Sequence, residues 1–396
     1  MKEIVVNSTK EKNTIVFVEN GKLLEKYEEY DGLQRIEGNI YLGKITDILP
    51  GMQAAFVDIG DTQNAFLHIK DILPKASNKT GNKNEDLNKY DIKDYVKIGM
   101  PVIVQVKKDK TGKKGAKVST NLNISGKFVV IIPNSKFVTI SQKIENNDEI
   151  LRLTNIVNDC KIENYGVIIR TSAINATKQE IKEDIQKVIQ IYQNIKNQSQ
   201  YIIEENENIP SLLYEKGNII NRLLIDVGNQ GLDKIVVNNK NVYENVLELL
   251  KKYNLNIDVK LIEQDSILDL YNLERQIEKI SNRKVWLDCG GFITIDQTEA
   301  LTAIDVNSGK FTGKENIEKT VLKVNSEATV EIAKQIRARD IGGIIIVDYI
   351  DMDNKEDEEI VQNLLLENLK KDRAKTQVVG FTKLHLLEMT RKHICS

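Results

Sequence analysis

The chain is poor in the residues that carry covalent cross-links or imidazole chemistry. It has three cysteines in 396 residues, Cys160, Cys289 and Cys395. They are too few and too scattered for a disulfide framework, a usage that suits a reducing cytoplasm. None of them has C-x-x-C spacing, which argues against a structural zinc within one chain. There are only three histidines, His68, His385 and His393. With no evident Ser-His-Asp or Cys-His arrangement, histidine is a poor basis for catalysis. No apolar run approaches the ~20 residues that cross a bilayer, and the opening M-K-E-I-V-V-N has no signal-peptide core. An excess of one charge is also lacking. Lys and Arg total 56 against 58 Asp and Glu, so net charge gives no hint of a nucleic-acid partner, and only local clustering can.

What is present is a globular composition, 41% hydrophobic and 29% charged, long enough for two to four domains with buried cores. Residues 1–36 alternate apolar and polar positions around Asn20-Gly21, the signature of a hairpin. Residues 37–123 hold short strands with glycine turns and no long helix, which predicts a small β-barrel. Within them 75–93 is a polar insertion, expected to be a mobile loop. Residues 124–210 return to strands, then to a helix near 177–204 with Ile181, Ile185, Val188, Ile189 and Tyr192 at helical spacing. Pro210 closes that block. Residues 211–280 mix helix and strand, and 281–396 alternate strand and helix in an α/β pattern.

Two runs in the last quarter carry the chemistry. T-A-I-D-V-N-S-G-K contains Asp305 and Asn307, and G-G-I-I-I-V-D-Y-I-D-M contains Asp348. Each carboxylate interrupts a β-branched apolar run. In a buried strand an ionised aspartate costs several kcal/mol unless it is paired or binds metal. The helix between the runs has the apolar stripe Ile317, Val321, Val324, Ala328, Ile332 and Ile336. Strand, helix, strand makes parallel neighbours, and both carboxylates then fall toward the carboxyl ends of their strands, where α/β sheets place ligands. Mg²⁺ typically takes one or two carboxylates and keeps several waters. Asn307, two residues past Asp305, shares its face if the strand continues and can orient a carboxylate or a water. The alternative is that Asp305 caps a helix or turn and Asp348 pairs with Arg337 or Arg339. Asp351 and Asp353 read as caps of a helix starting near 354.

The barrel segment looks like an OB fold, which grips single strands with surface aromatics and a basic groove. Phe56 and Phe66 supply aromatics. Lys107, Lys108, Lys110, Lys113, Lys114 and Lys117 crowd one segment at a density that suits phosphate contact. Spacing alone leaves two readings open, because the phenylalanines can equally be barrel core and the lysines a solvated hairpin tip.

These motifs together resemble the catalytic half of the ribonuclease E/G family over essentially the whole chain. The residues that carry the resemblance are T-E-A-L-T-A-I-D-V-N-S-G-K, R-A-R-D-I-G-G-I-I-I-V-D-Y-I-D-M, G-V-I-I-R-T, G-N-I-Y-L-G-K-I and A-A-F-V-D-I-G. The resemblance implies a mosaic α/β fold. An RNase H-like subdomain (1–36 and 211–280) is split by an S1-type OB domain (37–123) and a 5′-sensor region (124–210), and a DNase I-like subdomain (281–396) follows. It implies an Mg²⁺-dependent endoribonuclease that cuts single-stranded RNA in RNA decay or rRNA processing and leaves 5′-phosphate ends. On that pattern Asp305 and Asp348 are metal ligands, with Asn307 supporting Asp348. Arg170 and Thr171 read a 5′-monophosphate, with Gly126 and Val130 as the facing wall. Phe56, Phe66 and Lys114 grip RNA.

Two departures from the family pattern stand out. Ser141, Gln142 and Lys143 occupy positions where the family often has basic residues, which weakens the expected 5′-end preference. After M-T-R-K the chain has Cys395 but no Cys-Pro-x-Cys pair, so no zinc is expected from it, while a homo-oligomer stays open. The expected protein is a cytoplasmic, Mg²⁺-dependent endoribonuclease with no membrane segment. The rival reading is a catalytically weak RNA-binding scaffold.

Overall fold

The computed structural model describes the chain except residues 31–34, 74–89, 111, 113, 161, 206, 229–230, 310–316 and 395–396, and the side chains of 317–318. The expectations for most of the 75–93 insertion, for Lys113, for Cys395 and for the Ile317 side chain therefore fall outside the described residues. Two units are present, one made of 1–33 and 231–396 and the other of 34–230. Among the described residues no helix is long and apolar enough to cross a membrane.

The first unit begins with β1 (Lys2–Ser8), β2 (Lys12–Glu19) and β3 (Lys22–Tyr30), which are antiparallel neighbours. Asn20 and Gly21 turn β2 into β3 with φ of 50° and 76°. Positive φ at both central residues marks the two-residue hairpin turn whose twist matches its strands, as the Asn-Gly pair predicts.

The second unit holds a barrel and a smaller α/β layer. The barrel strands are β4 (Ile40–Leu49), β5 (Ala54–Asp58), β6 (Ala65–His68), β7 (Pro101–Lys108) and β8 (Lys117–Ser119). They run in the order β4-β5-β6-β8-β7, and pairing of β4 with β7 from Ile40↔Gln105 to Lys44↔Pro101 closes the five-stranded ring. Closure leaves no free edge within the ring. Its interior is filled by Ile45, Ala55, Val57, Ala65, Leu67, Val104, Val106 and Val118.

The layer that follows contains β9 (Ile124–Ser125), β10 (Val129–Pro133), β11 (Val138–Ile140), α1 (Asn147–Asp159), β12 (Tyr165–Ile169) and α2 (Lys178–Glu204). The sheet order is β11-β12-β10-β9. Helix α2 starts at a reciprocal cap in which Thr177 and Glu180 exchange side-chain-to-backbone hydrogen bonds. It buries Ile181, Ile185, Val188, Ile195 and Ile202. β13 (Ser211–Tyr214) then pairs with β4, and α3 (Ile219–Val227) follows. Residues 211–230, grouped by sequence with the returning half of the first sheet, thus lie in the barrel-containing unit.

The chain re-enters the first unit through β14 (Lys234–Val237), α4 (Lys240–Tyr253), β15 (Asp258–Leu261) and α5 (Glu274–Ser281). β14 pairs in parallel with β1, giving the order β15-β14-β1-β2-β3. The last sheet is built from β16 (Lys284–Trp286), β17 (Phe292–Gln297), β18 (Leu301–Asn307), α6 (Ile317–Ala338), β19 (Gly343–Asp348), α7 (Lys355–Leu369), β20 (Thr376–Phe381) and β21 (Leu386–Arg391). Its order is β16-β17-β18-β19-β21-β20. One face packs on helices through Ile293, Ile304, Val306, Ile345, Val347, Val324, Ala328, Ile332, Val361 and Leu365. Of the predicted α6 stripe, Val324, Ala328, Ile332 and Ile336 are core, while Val321 is half-buried outside it.

Glu25 of β3 joins the two sheets of this unit. Its carboxylate is 0% exposed and accepts 2.8–2.9 Å hydrogen bonds from Arg337 of α6, from Arg373 and from the Tyr27 hydroxyl. Burial alone would raise its pKa, but the Arg373 and Arg337 guanidinium groups hold it below the ordinary carboxylate range. A depressed carboxylate pKa gives stability that is present above the unfolded value, near 4.3, and lost as pH falls through the folded value. Glu25→Gln strands two guanidinium groups and should cost about 3–5 kcal/mol. Thermal melts should show a lower Tm at pH 7 and a smaller Tm loss on acidification than in wild type. A Tm unchanged at pH 7 would remove this role from Glu25.

Candidate functional site

The parallel pairing of β18 with β19 sets Asp305 directly opposite Asp348. Burial alternates along both strands. Ile304, Val306, Ile345 and Val347 turn into the helix-covered core, and Asp305 and Asp348 turn to the open face, where both are exposed. This corrects the premise of a buried carboxylate, since each strand is buried on one side only. The pairing supports a site by proximity instead. Partial desolvation, with the charges of Asp305 and Asp351, raises the Asp348 carboxyl above its ordinary range.

Neither alternative for these residues matches the described contacts. Arg337 is taken by Glu25, and Arg339 bonds Gln335 and the Asn282 carbonyl. Asp305 lies within β18 and is not a cap. Asn354 holds the N-cap position of α7, so Asp351 and Asp353 do not cap it. The strand does continue through Asn307, whose Nδ2 donates to Asp305 Oδ2 at 2.6 Å. Asn307 was expected to support Asp348, and its partner is Asp305. The residue it reaches is its i−2 neighbour on the same face, as strand geometry requires.

Among the described residues no three His, Cys, Asp or Glu side chains come together as a metal cage. Two opposed carboxylates, one held by an amide and neither in an ion pair among the described residues, have the chemistry to take a hard cation that keeps most of its waters.

The second unit contains the loop at Gly126. Asp184 of α2 is 9% exposed, and its carboxylate accepts from the backbone N–H groups of Lys127, Phe128 and Val129 at 2.9, 2.7 and 3.1 Å. A Cβ on Gly126 would stand 2.5 Å from that carboxylate, so the position requires glycine. Arg170, just past β12, donates from Nη1 to the Gly126 carbonyl at 2.8 Å and from Nη2 to Asp226 of α3. Thr171 opens the following turn, and Ser172 donates to the Lys127 carbonyl. Val130 pairs with Ile168 on the neighbouring strand. The structure thus brings Gly126 and Arg170 into contact, with Val130 and Thr171 close in register. Ser141 follows β11, and its N–H donates to the Ile169 carbonyl, so Ser141, Gln142 and Lys143 leave beside the same strand end.

Sequence reasoning did not find Asp184, Lys127 or Asp226. Asp184 had a signal, since it sits within the apolar stripe of α2 among Ile181, Ile185 and Val188, where a carboxylate needs buried donors. Lys127 is pushed down in pKa by burial.

On the barrel, Phe56 and Phe66 pair across β5 and β6 with ring centroids 6.2 Å apart at 70°. Their neighbours Ala55, Val57, Ala65 and Leu67 fill the core, so both rings lie half-buried on the outer surface. That decides against the core reading. His68 joins them, 6.4 Å from Phe66. Burial and the charges of Lys70 and Lys117 lower its pKa, which favours the neutral ring. Lys110 pairs with Asp61 and Lys117 with Asp71. Lys114 is exposed, without an ion pair among the described residues.

A family model described as "Ribonuclease E/G family" matches residues 123–394. The chain belongs to the ribonuclease E/G family. Ahead of that region, residues 35–121 match a model described as "S1 RNA binding domain". Family relatives include Ribonuclease G of Salmonella typhimurium, 37% identical over 98% of this chain and 79% of its own length. Ribonuclease G of Haemophilus influenzae is 36% identical with the same coverage. Ribonuclease E of Buchnera aphidicola is 34% identical over 100% of this chain and 41% of its own length. The S1 match coincides with the closed barrel, so both the family and the OB-type domain expectations hold.

An S1 surface built this way should lose RNA affinity in two distinguishable manners. Phe56→Ala removes a stacking ring and should cost roughly 1–3 kcal/mol of binding. Lys114→Ala should flatten the salt dependence by about 0.7 in slope, one phosphate contact on a single strand. Fluorescence anisotropy across a salt series checks both, and an unchanged slope returns Lys114 to a solvated tip.

Proposed function

We propose that this endoribonuclease of the E/G family cleaves single-stranded RNA at Asp305 and Asp348 with Mg²⁺ and leaves 5′-phosphate ends. RNA decay or rRNA processing in the cytoplasm is the setting this implies. The observation that carries the reading is the register that opposes the two carboxylates on an open face. The flanking architecture agrees with a mosaic in which the first sheet is RNase H-like and the last is DNase I-like.

Asp305 and Asp348 would hold the cation, which when bound supplies a more acidic water and charge neutralisation on the phosphodiester. Asn307 keeps Asp305 Oδ2 in one orientation. The raised Asp348 carboxyl is the electrostatic demand that a cation answers. The barrel's outer aromatics and Lys114 hold the strand.

The second part of the proposal is that Arg170, Thr171, Gly126 and Val130 read a 5′-monophosphate. Asp184 occupies the three amides of the loop, which leaves guanidinium and hydroxyl donors for an anion. Arg170 has five N–H donors, and the bonds to Gly126 and Asp226 leave some of them available. Gln142 adds no charge there, which supports a modest preference.

The first test is cleavage of a fluorescent single-stranded RNA with Mg²⁺ and with EDTA. Asp305→Asn and Asp348→Asn should each lose at least about a hundredfold in rate, more than loss of an outer-shell partner costs, with RNA binding retained. Turnover at the wild-type rate in either variant would overturn the metal-site assignment. In the second, Arg170→Ala should cut the preference for 5′-monophosphate over 5′-hydroxyl RNA by roughly ten- to a hundredfold, the loss of ~1.5–3 kcal/mol of charged hydrogen bonding. Competition kinetics on the two RNAs checks this, and an undiminished preference would remove Arg170 from the sensor.

A further inference from the structure

The open face of the last sheet carries a second feature beside the carboxylates. β16, β17, β18, β19 and β21 align Lys284, Thr294, Asp305, Asp348 and Leu386 in one cross-strand row. The adjacent row is Trp286, Phe292 and Asn307. Trp286 is 64% exposed and meets Phe292 edge to face, centroids 5.3 Å apart at 62°. Lys284 Nζ lies over both rings, 3.5 Å from the Phe292 centroid and 4.1 Å from that of Trp286. Held by a second ring and a cation and still 64% exposed, Trp286 presents open aromatic surface on that face.

We infer that Trp286, Phe292 and Lys284 form a nucleobase-binding shelf for single-stranded RNA, beside the carboxylate pair. The inference rests on the reading of Asp305 and Asp348 as the cleavage site. Strands lie about 4.8 Å apart, so Phe292 stands one strand and Trp286 two strands from Asn307. A base one or two nucleotides from the scissile phosphate reaches that span. Aromatic faces stack any base, and an ammonium over the rings offers a phosphate its counter-charge. Charge decides the occupant. The shelf places a cation at the margin of a carboxylate pair that an anionic strand must approach. This fits a polyanion with exposed π-faces better than an apolar protein surface.

The chain has one tryptophan, so its emission reports this shelf alone. The experiment titrates the full chain in EDTA with an unlabelled single-stranded oligoribonucleotide. Trp286 fluorescence is followed beside the anisotropy of an end-labelled copy. The shelf predicts quenching that saturates with binding. It also predicts weaker quenching by an oligomer of abasic residues with the same phosphate count. Trp286→Ala and Phe292→Ala should each weaken binding roughly five- to a hundredfold, and Trp286→Phe should restore most of it. Emission unchanged at saturating RNA overturns the proposal. So does emission that shifts with protein concentration alone, which would assign the face to a second copy of the chain. The cleavage-site reading fails separately. If Asp305→Asn still cuts RNA, quenching of Trp286 supports the shelf as an RNA contact while the neighbouring carboxylates lose their role.

Discussion

The register of β18 against β19 is the constraint on which the candidate catalytic surface depends. In a parallel pair joined by a helix, one residue of slip would carry Asp348 from the open face into the helix-packed core. The slip is prevented by what lies behind the carboxylates. Ile304, Val306, Ile345 and Val347 interdigitate with Val324, Ala328 and Ile332 of the crossover helix, and β21 holds the far edge of β19 from Gly343↔Arg391 to Asp348↔Leu386. Arg391 is itself buried between Asp372 and Asp340. Buried ion pairs give less stability than their count suggests, but an unpaired partner is costly enough to exclude alternative packings. Positional accuracy on the exposed face is thus maintained from the dry side of the sheet.

Glu25 does for the two sheets of the first unit what the crossover helix does for β18 and β19. A strand from the first thirty residues receives arginines from positions 337 and 373. A chain that leaves this unit near residue 33 and returns near 231 must bring distant segments together after the intervening unit is made. A charge cluster with one satisfactory arrangement favours the correct return over approximate hydrophobic contact.

Much of this organisation was legible in the residues, for local reasons. Asn20-Gly21 declares its turn because both positions need positive φ. Helix α2 declares its face through isoleucine spacing. The carboxylate pair was visible because each aspartate breaks an apolar run. The degree of burial was not, because G-I-I-I-V-D has apolar residues of both parities and so reads as a strand covered on both faces. In the fold Ile344 is 49% exposed. Hydrogen-bond partners were the other gap. Asn307 was assigned to Asp348 and reaches Asp305, a choice set by side-chain reach along one strand. Asp226 was illegible since one carboxylate near the end of a short apolar helix looks like an ordinary surface residue. Its partner, Arg170, lies 56 residues earlier.

The placement of Asp305 and Asp348 at the middle of a six-stranded sheet has a consequence for the local dielectric. Two strands flank the pair on either side, so across the strands the sheet extends roughly 10 Å beyond it at ~4.8 Å per strand. Asp305 and Asp348 are both exposed among the described residues, so charges on this face interact through a medium closer to water than to protein interior. A strand laid flat across it would displace that water and lower the effective permittivity above both carboxylates at once. The ligand would act as the lid, and the field at the centre of the sheet would strengthen only while it is covered.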